Sequence, residues 1–206
     1  MYLSRLRLNQ SRRAVLWTSN PYRVHQRLMM ACDGDPRLLF RIEESPDGLQ
    51  ILVQSQVQPA WTAAFNDFPV LLDAPESKPF DPTLQTGRLY RFRLLANPTV
   101  KRTFDLNGGK HKKRLGLLKE ADQIAWLKRK LEAAGAEVQD CLIIPQGFQR
   151  SRKSAAQEGG SQTHLAVLFE GLLTVKDPQR LSSALASGIG AAKGFGFGLL
   201  SLAPRP

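Results

Sequence analysis

Tyr22 and His25 stand three residues apart in the segment Asn20-Pro-Tyr-Arg-Val-His-Gln-Arg27. On a helix, that spacing sets a phenol and an imidazole on one face. An imidazole can carry protons near neutral pH, and a phenol can orient or donate. The apolar stripe of the same segment is Val24, Leu28 and Ala31, and His25 lies at its edge. The spacing therefore fits a partly buried structural histidine as well as a catalytic one. Arg23 and Arg27 project from other parts of the segment as candidate contacts for an anion.

A second stretch with chemical potential is Gly188-Ile-Gly-Ala-Ala-Lys193-Gly-Phe-Gly-Phe-Gly198, with five glycines, one lysine and two phenylalanines in eleven residues. Glycine lets a backbone come close to a ligand, consecutive amides can cradle a phosphate, and Lys193 adds a point charge. The loop precedes the strand-like Leu199-Leu-Ser-Leu202. Mononucleotide and dinucleotide loops run in the opposite order, from strand to loop to helix. A polynucleotide backbone is the better-matched ligand. A plain turn with aromatic packing is the alternative.

Charge points the same way. The chain has 206 residues, a formal net charge of +11 and a pI near 10.1. A balance of that size favours a polyanionic partner. Between Lys101 and Lys130 there are ten Lys/Arg against three Asp/Glu. Lys101 and Arg102 lead into a basic loop holding Lys110, His111, Lys112, Lys113 and Arg114. A second basic cluster, Arg150, Arg152 and Lys153, opens a connection that continues through Gly159-Gly160-Ser161. Solvated faces usually alternate sign, and these segments do not. Basic loops on a sheet suit the deep major groove and phosphates of an RNA hairpin. No basic recognition helix of the kind that reads DNA is visible.

The remaining composition bounds the chemistry. His25, His111 and His164 show no metal-ligand spacing, and no acidic cluster suggests a two-metal nuclease. Neither a metal nor a cofactor is expected. If the chain cuts RNA, the ribose 2′-OH is the available nucleophile. Cys32 and Cys141 lie far apart and read as buried apolar residues in a reducing compartment. No apolar run is long enough for a membrane span, so no membrane partner and a cytoplasmic location are expected.

These groups need elements to position them. Tyr2–Leu8 alternates Leu6 and Leu8 with Arg5 and Arg7, as a half-buried strand does. Asn20-Pro21 reads as a helix start, with the helix running to about Cys32. Leu38–Glu43 and Leu49–Gln56 read as strands joined at Ser45-Pro-Asp-Gly48. A helical piece at Trp61–Asn66 and a strand at Val70–Leu72 follow. Asp73–Gly87 is turn-rich and reads as a connection. Arg88–Ala96 alternates as a strand, and a helix is expected over Leu118–Ala134 with Gly135 ending it. Strands at Val138–Pro145 and Leu165–Val175, a helix opening at Asp177-Pro178, the glycine loop and a last strand complete the chain. Each half reads β-α-β-β-α-β, the ferredoxin-like order. The expected class is α+β, with two tandem ferredoxin-like domains at 1–80 and 88–206 joined by a linker at 81–87. The halves share element order without residue-level identity.

Taken together, certain segments resemble those of a known family. They are Met1-Tyr-Leu-Ser-Arg-Leu6, Asn20–Leu28, Leu52-Val-Gln-Ser55, Tyr90–Thr99, Phe169-Glu-Gly171 and the glycine loop. The chain resembles, over its whole length, the CRISPR repeat-processing endoribonucleases of the CasE type in the RAMP superfamily. The resemblance implies metal-independent cleavage of precursor CRISPR RNA beside each repeat hairpin, by 2′-OH attack leaving a 2′,3′-cyclic phosphate. It implies that His25 and Tyr22 are catalytic. It implies that Arg150, Arg152 and Lys153 enter the hairpin groove. Retention of the product and assembly with other Cascade subunits are implied as well. Residues 155–163 match the family least. A non-catalytic RNA-binding subunit of the same architecture is the alternative, and His25 argues against it.

Overall fold

The computed structural model describes residues 1–33, 35, 37–106, 109–151 and 162–205. Strand β1 (Tyr2–Arg7) is followed by helices α1 (Arg12–Thr18) and α2 (Pro21–Ala31). The hairpin β2 (Leu39–Ser45) and β3 (Gly48–Ser55), the short helix α3 (Trp61–Phe65) and strand β4 (Glu76–Pro79) complete one unit. Its sheet order is β2-β3-β1-β4, antiparallel throughout. Leu6 faces Ile51 in register, and both are fully buried. The helices close this face: α2 buries Val24, Leu28 and Ala31 against it.

The second unit opens with β5 (Leu89–Ala96), then the hairpin β6 (Thr99–Leu106) and β7 (Gly109–Gly116). Helix α4 (Glu120–Ala133), the long strands β8 (Ala136–Ser151) and β9 (Gln162–Val175), helix α5 (Pro178–Ser187) and β10 (Leu200–Pro204) follow. Its sheet order is β10-β5-β9-β8. With only the strands of each four-stranded sheet numbered in chain order, both sheets run 4-1-3-2, so the expected α+β class with two ferredoxin-like units holds. Each unit has its own core. One centres on Leu6, Leu28, Phe40 and Ile51, the other on Leu94, Leu127, Phe169 and Leu173.

Local signals explain most boundaries. The Asp177 side chain accepts from the amides of Gln179 and Arg180, and Pro178 needs no donor at the first helical position. Asn20 precedes α2 without a side-chain capping bond.

Five departures from expectation stand out. Val70–Leu72 forms no strand, and only Leu71 bridges to Leu8. The fourth strand is Glu76–Pro79, inside the stretch read as a connection. It is exposed throughout, so it leaves no apolar alternation. It is held by the ladder to β1 and by Arg5, which donates to both Glu76 oxygens at 2.7 and 2.8 Å. Helix α1 was not anticipated. Ser11 caps it by accepting from Ala14 N, but Val15 and Leu16 stay exposed and blur its period. The basic stretch 101–114 is a two-stranded hairpin rather than a loop. Cys141 is only half-buried, although Cys32 is buried as expected.

Gly171 of the Phe169-Glu-Gly171 segment has a packing reason. It lies opposite Cys141, next to the register shift between Val138 and Asp140 on β8. A Cβ built on Gly171 would sit 2.0 Å from the Asp140 carbonyl oxygen. Gly171→Ala must push the two strands apart, and it is expected to cost about 3 kcal/mol, the upper range for overpacking. A denaturant titration would show this as a lower midpoint at unchanged slope. An unchanged midpoint would mean that the bulge absorbs the methyl.

Candidate active site at the seam between the two units

The two units are clasped by buried polar contacts. Arg41 on β2 is 2% exposed and pairs with Glu43 at 2.7 Å. It also donates to Leu199 O at 2.8 Å and Ser201 Oγ at 2.9 Å, both in the second unit. Burial lowers the pKa of its guanidinium, while Glu43 works in the other direction. Gln54 on β3 donates to Leu185 O at 2.7 Å. These bonds tie α5, Leu199 at the end of the C-terminal loop Gly188–Leu199, and β10 to β2 and β3.

The loop folds tightly around one 3-10 turn, Lys193–Phe195. Its ends are tied by Ile189 N to Gly198 O at 2.9 Å and by Gly198 N to Leu95 O at 2.8 Å. The amides of Phe195 and Gly196 bond back to Ala192 O and Lys193 O. Part of the amide set expected to face a phosphate therefore holds the loop's own shape. Gly196 has φ +85°, and a Cβ there would sit 3.2 Å from the Phe40 ring. Only glycine combines that torsion with that approach.

Helix α2 lies directly on this turn. Tyr22 stacks on Phe195 with ring centroids 5.9 Å apart, and His25 stacks on Phe40 at 6.1 Å. A Cβ on Gly194 would stand 3.3 Å from both Cδ2 and Nε2 of His25. His25 is half-buried, and burial lowers its pKa below the usual 6.5. Its Nδ1 is enclosed, with no hydrogen-bond partner among the described residues. A neutral imidazole at pH 7, beside a phenol and under a glycine turn, is equipped for proton transfer.

One residue at this seam escaped the sequence reading. His164 was placed just before a strand, but it lies within β9 and reaches the glycine loop. Its ring is 4.5 Å from Phe195 and 5.9 Å from Phe197. Asn97 Nδ2 lies within hydrogen-bond distance of His164 Nδ1, at 3.2 Å. Burial lowers the pKa of His164 as well. Asn97 is buried at the end of the Tyr90–Thr99 segment, and that polar residue among apolar neighbours is the signal that could have found the pair.

The basic candidates divide by position. Lys101, Arg102, Lys112, Lys113 and Arg114 lie exposed on β6 and β7, with Lys110 opposite Asp105. Lys193 reaches toward Lys130, and burial first, then that neighbouring charge, pushes its pKa down. Arg150 is exposed near the end of β8, opposite Thr163. Arg152 and Lys153 lie outside the described residues. Arg23 is exposed and lines a groove of about 800 Å³ with Arg12, Arg13 and Trp17. Arg27 is engaged within the protein: it donates to Ala64 O at 2.5 Å and to Asp67, and it covers the Phe68 ring at 4.2 Å.

Comparison with known proteins gives one consistent neighbourhood. The family described as CRISPR associated protein matches residues 1–204. The CRISPR-associated endoribonuclease Cse3 of Thermus thermophilus is 36% identical, covering 99% of this chain and all of its own. The Cascade subunit CasE of Escherichia coli is 37% identical over 99% of this chain and all of its own. The solved structure of Thermus thermophilus Cse3 bound to an RNA representing a pre-cleavage complex superposes with a TM-score of 0.83. It has 34% identity and covers 98% of each chain.

Proposed function

The chain belongs to the CRISPR-associated protein family matched over its residues 1–204, and we propose from this that it is an endoribonuclease. It cleaves precursor CRISPR RNA beside the repeat hairpin and retains the mature product for a Cascade complex. The observation that carries this reading is the pairing of Tyr22 and His25 on α2 against the glycine turn. Both relatives span this whole chain, so the activity named for Cse3 and the assembly named for CasE concern proteins of the same extent.

His25 takes the proton of the ribose 2′-OH at Nε2, since Nδ1 is enclosed. The 2′-oxygen attacks the adjacent phosphorus as the bond to the 5′-oxygen breaks. A 2′,3′-cyclic phosphate forms on one product, and the other gains a 5′-hydroxyl. Tyr22 offers its phenol to the leaving oxygen. Lys193 and the exposed cations of β6 and β7 counter the charge gathered on the phosphate. Proton transfer of this kind needs neither metal nor cofactor.

The RNA hairpin lies across the basic surface of β6, β7 and the outer end of β8, with Arg150, Arg152 and Lys153 in its groove. Arg23 adds charge beside the catalytic helix. The domain division at 1–80 and 88–206, with 81–87 as linker, is supported by the two separate cores. No helix among the described residues is long and apolar enough to cross a membrane. A cytoplasmic location belongs to the same proposal.

The product ends test this reading. Incubated with repeat RNA in EDTA, the protein is expected to yield one fragment ending in a 2′,3′-cyclic phosphate and one starting with a 5′-hydroxyl, both resolved by mass. Fragments with a 5′-phosphate, or cleavage that returns only with Mg²⁺, would overturn it.

A further inference from the structure

Two clefts lie side by side next to the glycine turn. The nearer one, about 460 Å³, is walled by Phe148, His164 and Phe195, with Asn97 and Arg114 at its edges. The farther one, about 530 Å³, gathers Lys101, Arg114, Arg129, Lys130 and Lys193 above Trp126. Thr99, Arg114, Ala191 and Ala192 line both, so the two clefts adjoin.

We propose that these clefts form a track for the single-stranded RNA flanking the hairpin, with an unpaired base in the aromatic cleft and backbone phosphates in the cationic one. This rests on the endoribonuclease reading and adds a recognition site to it. The track begins at the reaction centre, because Phe195 stacks on Tyr22 and also meets His164.

The chemistry of each cleft selects its occupant. Phe148 is 63% exposed, so its ring is open to stacking by an unpaired base. A splayed base can do so whatever its identity, whereas the bases of a duplex are already stacked. In the second cleft five cations converge from β6, β7, α4 and the glycine loop. No carboxylate lines it among the described residues. Like charges held that close are self-repelling until an anion joins them, and phosphates one nucleotide apart supply several. Lys193 already feels Lys130 in this way. Arg129 and Lys130 were not among the residues singled out from the sequence. Helix α4 turns them toward the loop while Trp126, Leu127 and Leu131 face the core.

The experiment compares three RNAs, each blocked at the cut by a 2′-deoxy nucleotide: a blunt repeat hairpin, one with a 5′ single-stranded extension and one with a 3′ extension. Affinities are measured against salt. One extension is expected to tighten wild-type binding on the order of tenfold, as base–aromatic stacking does. Arg129→Gln with Lys130→Gln keeps good helix formers in α4 and should remove that gain. It should also lower the salt slope on the extended RNA by about 0.7 per phosphate released. Phe148→Ala should reduce the same gain without changing the slope. Equal losses on blunt and extended hairpins would overturn the track, as would extensions that add nothing to wild-type binding. That second result would leave the clefts to another acidic partner. Wild-type protein that bound none of the three RNAs would instead overturn the endoribonuclease reading itself.

Discussion

An RNA whose nucleotide 5′ to the cut carries 2′-deoxyribose is expected to bind as tightly as the all-ribose substrate and to resist cleavage. The substitution removes the nucleophile and leaves every phosphate and every base edge in place. Phosphate contacts, the dominant source of affinity in such complexes, do not involve that hydroxyl. The loss in rate is therefore at least about 10⁶-fold, the lower bound of what enzymes commonly supply over the uncatalysed reaction. Single-turnover cleavage with saturating protein measures it directly. Cutting at even a hundredth of the normal rate would mean that a water or another group attacks, and the role given to His25 would fall with it.

His25→Ala is expected to lower the cleavage rate by about 10² to 10⁴-fold, the range for a positioned general acid or base. RNA affinity should stay within a few-fold, because the ring packs on Phe40 and under Gly194 rather than at the basic surface. The pH profile gives a sharper test. Burial lowers the His25 pKa below 6.5. As proton acceptor, His25 works only when neutral, and its neutral fraction rises with pH. The kcat/KM of the wild type, which reports the free enzyme, should climb through a midpoint below pH 6.5 and be level by pH 7. The alanine variant should lack that rise. His164 also titrates below its usual value beside the same turn, so a rise that survives in His25→Ala would transfer the titration to His164. A profile that falls through the same range would make His25 the acid instead.

Much of this arrangement was legible in the chain because its signals are local. Period-two alternation over Tyr2–Leu8 and Arg88–Ala96 records which face meets a core. Asp177-Pro178 records a helix start in adjacent residues, and its capping bonds are present. The three-residue step from Tyr22 to His25 already placed both on one helical face. Elements that bury nothing left no such record. Strand β4 and most of the β6–β7 hairpin are exposed on both faces, so their ladders stabilise them without any apolar pattern. Helix α1 shows half its apolar residues to solvent and was missed for a related reason.

What the spacing could not supply was the company His25 keeps. Alone, the i, i+3 pair fits a structural histidine as well as a catalytic one. The neighbours that favour the catalytic reading, Gly194 and Phe195, lie some 170 residues further on and reach α2 only in the fold. The same closure brings His164 from β9 to Phe195, and Lys193 to Lys130. These neighbours are set by Arg41 and Gln54 bonding across the seam and by the shared 4-1-3-2 order of two sheets. By itself the sequence determined that Tyr22 and His25 share a helical face, the basic charge and the repeated element order, since each is written in residues close along the chain. The tertiary structure alone decided which loop covers the pair and which cations face one another, because long-range contacts depend on how two separately formed cores dock.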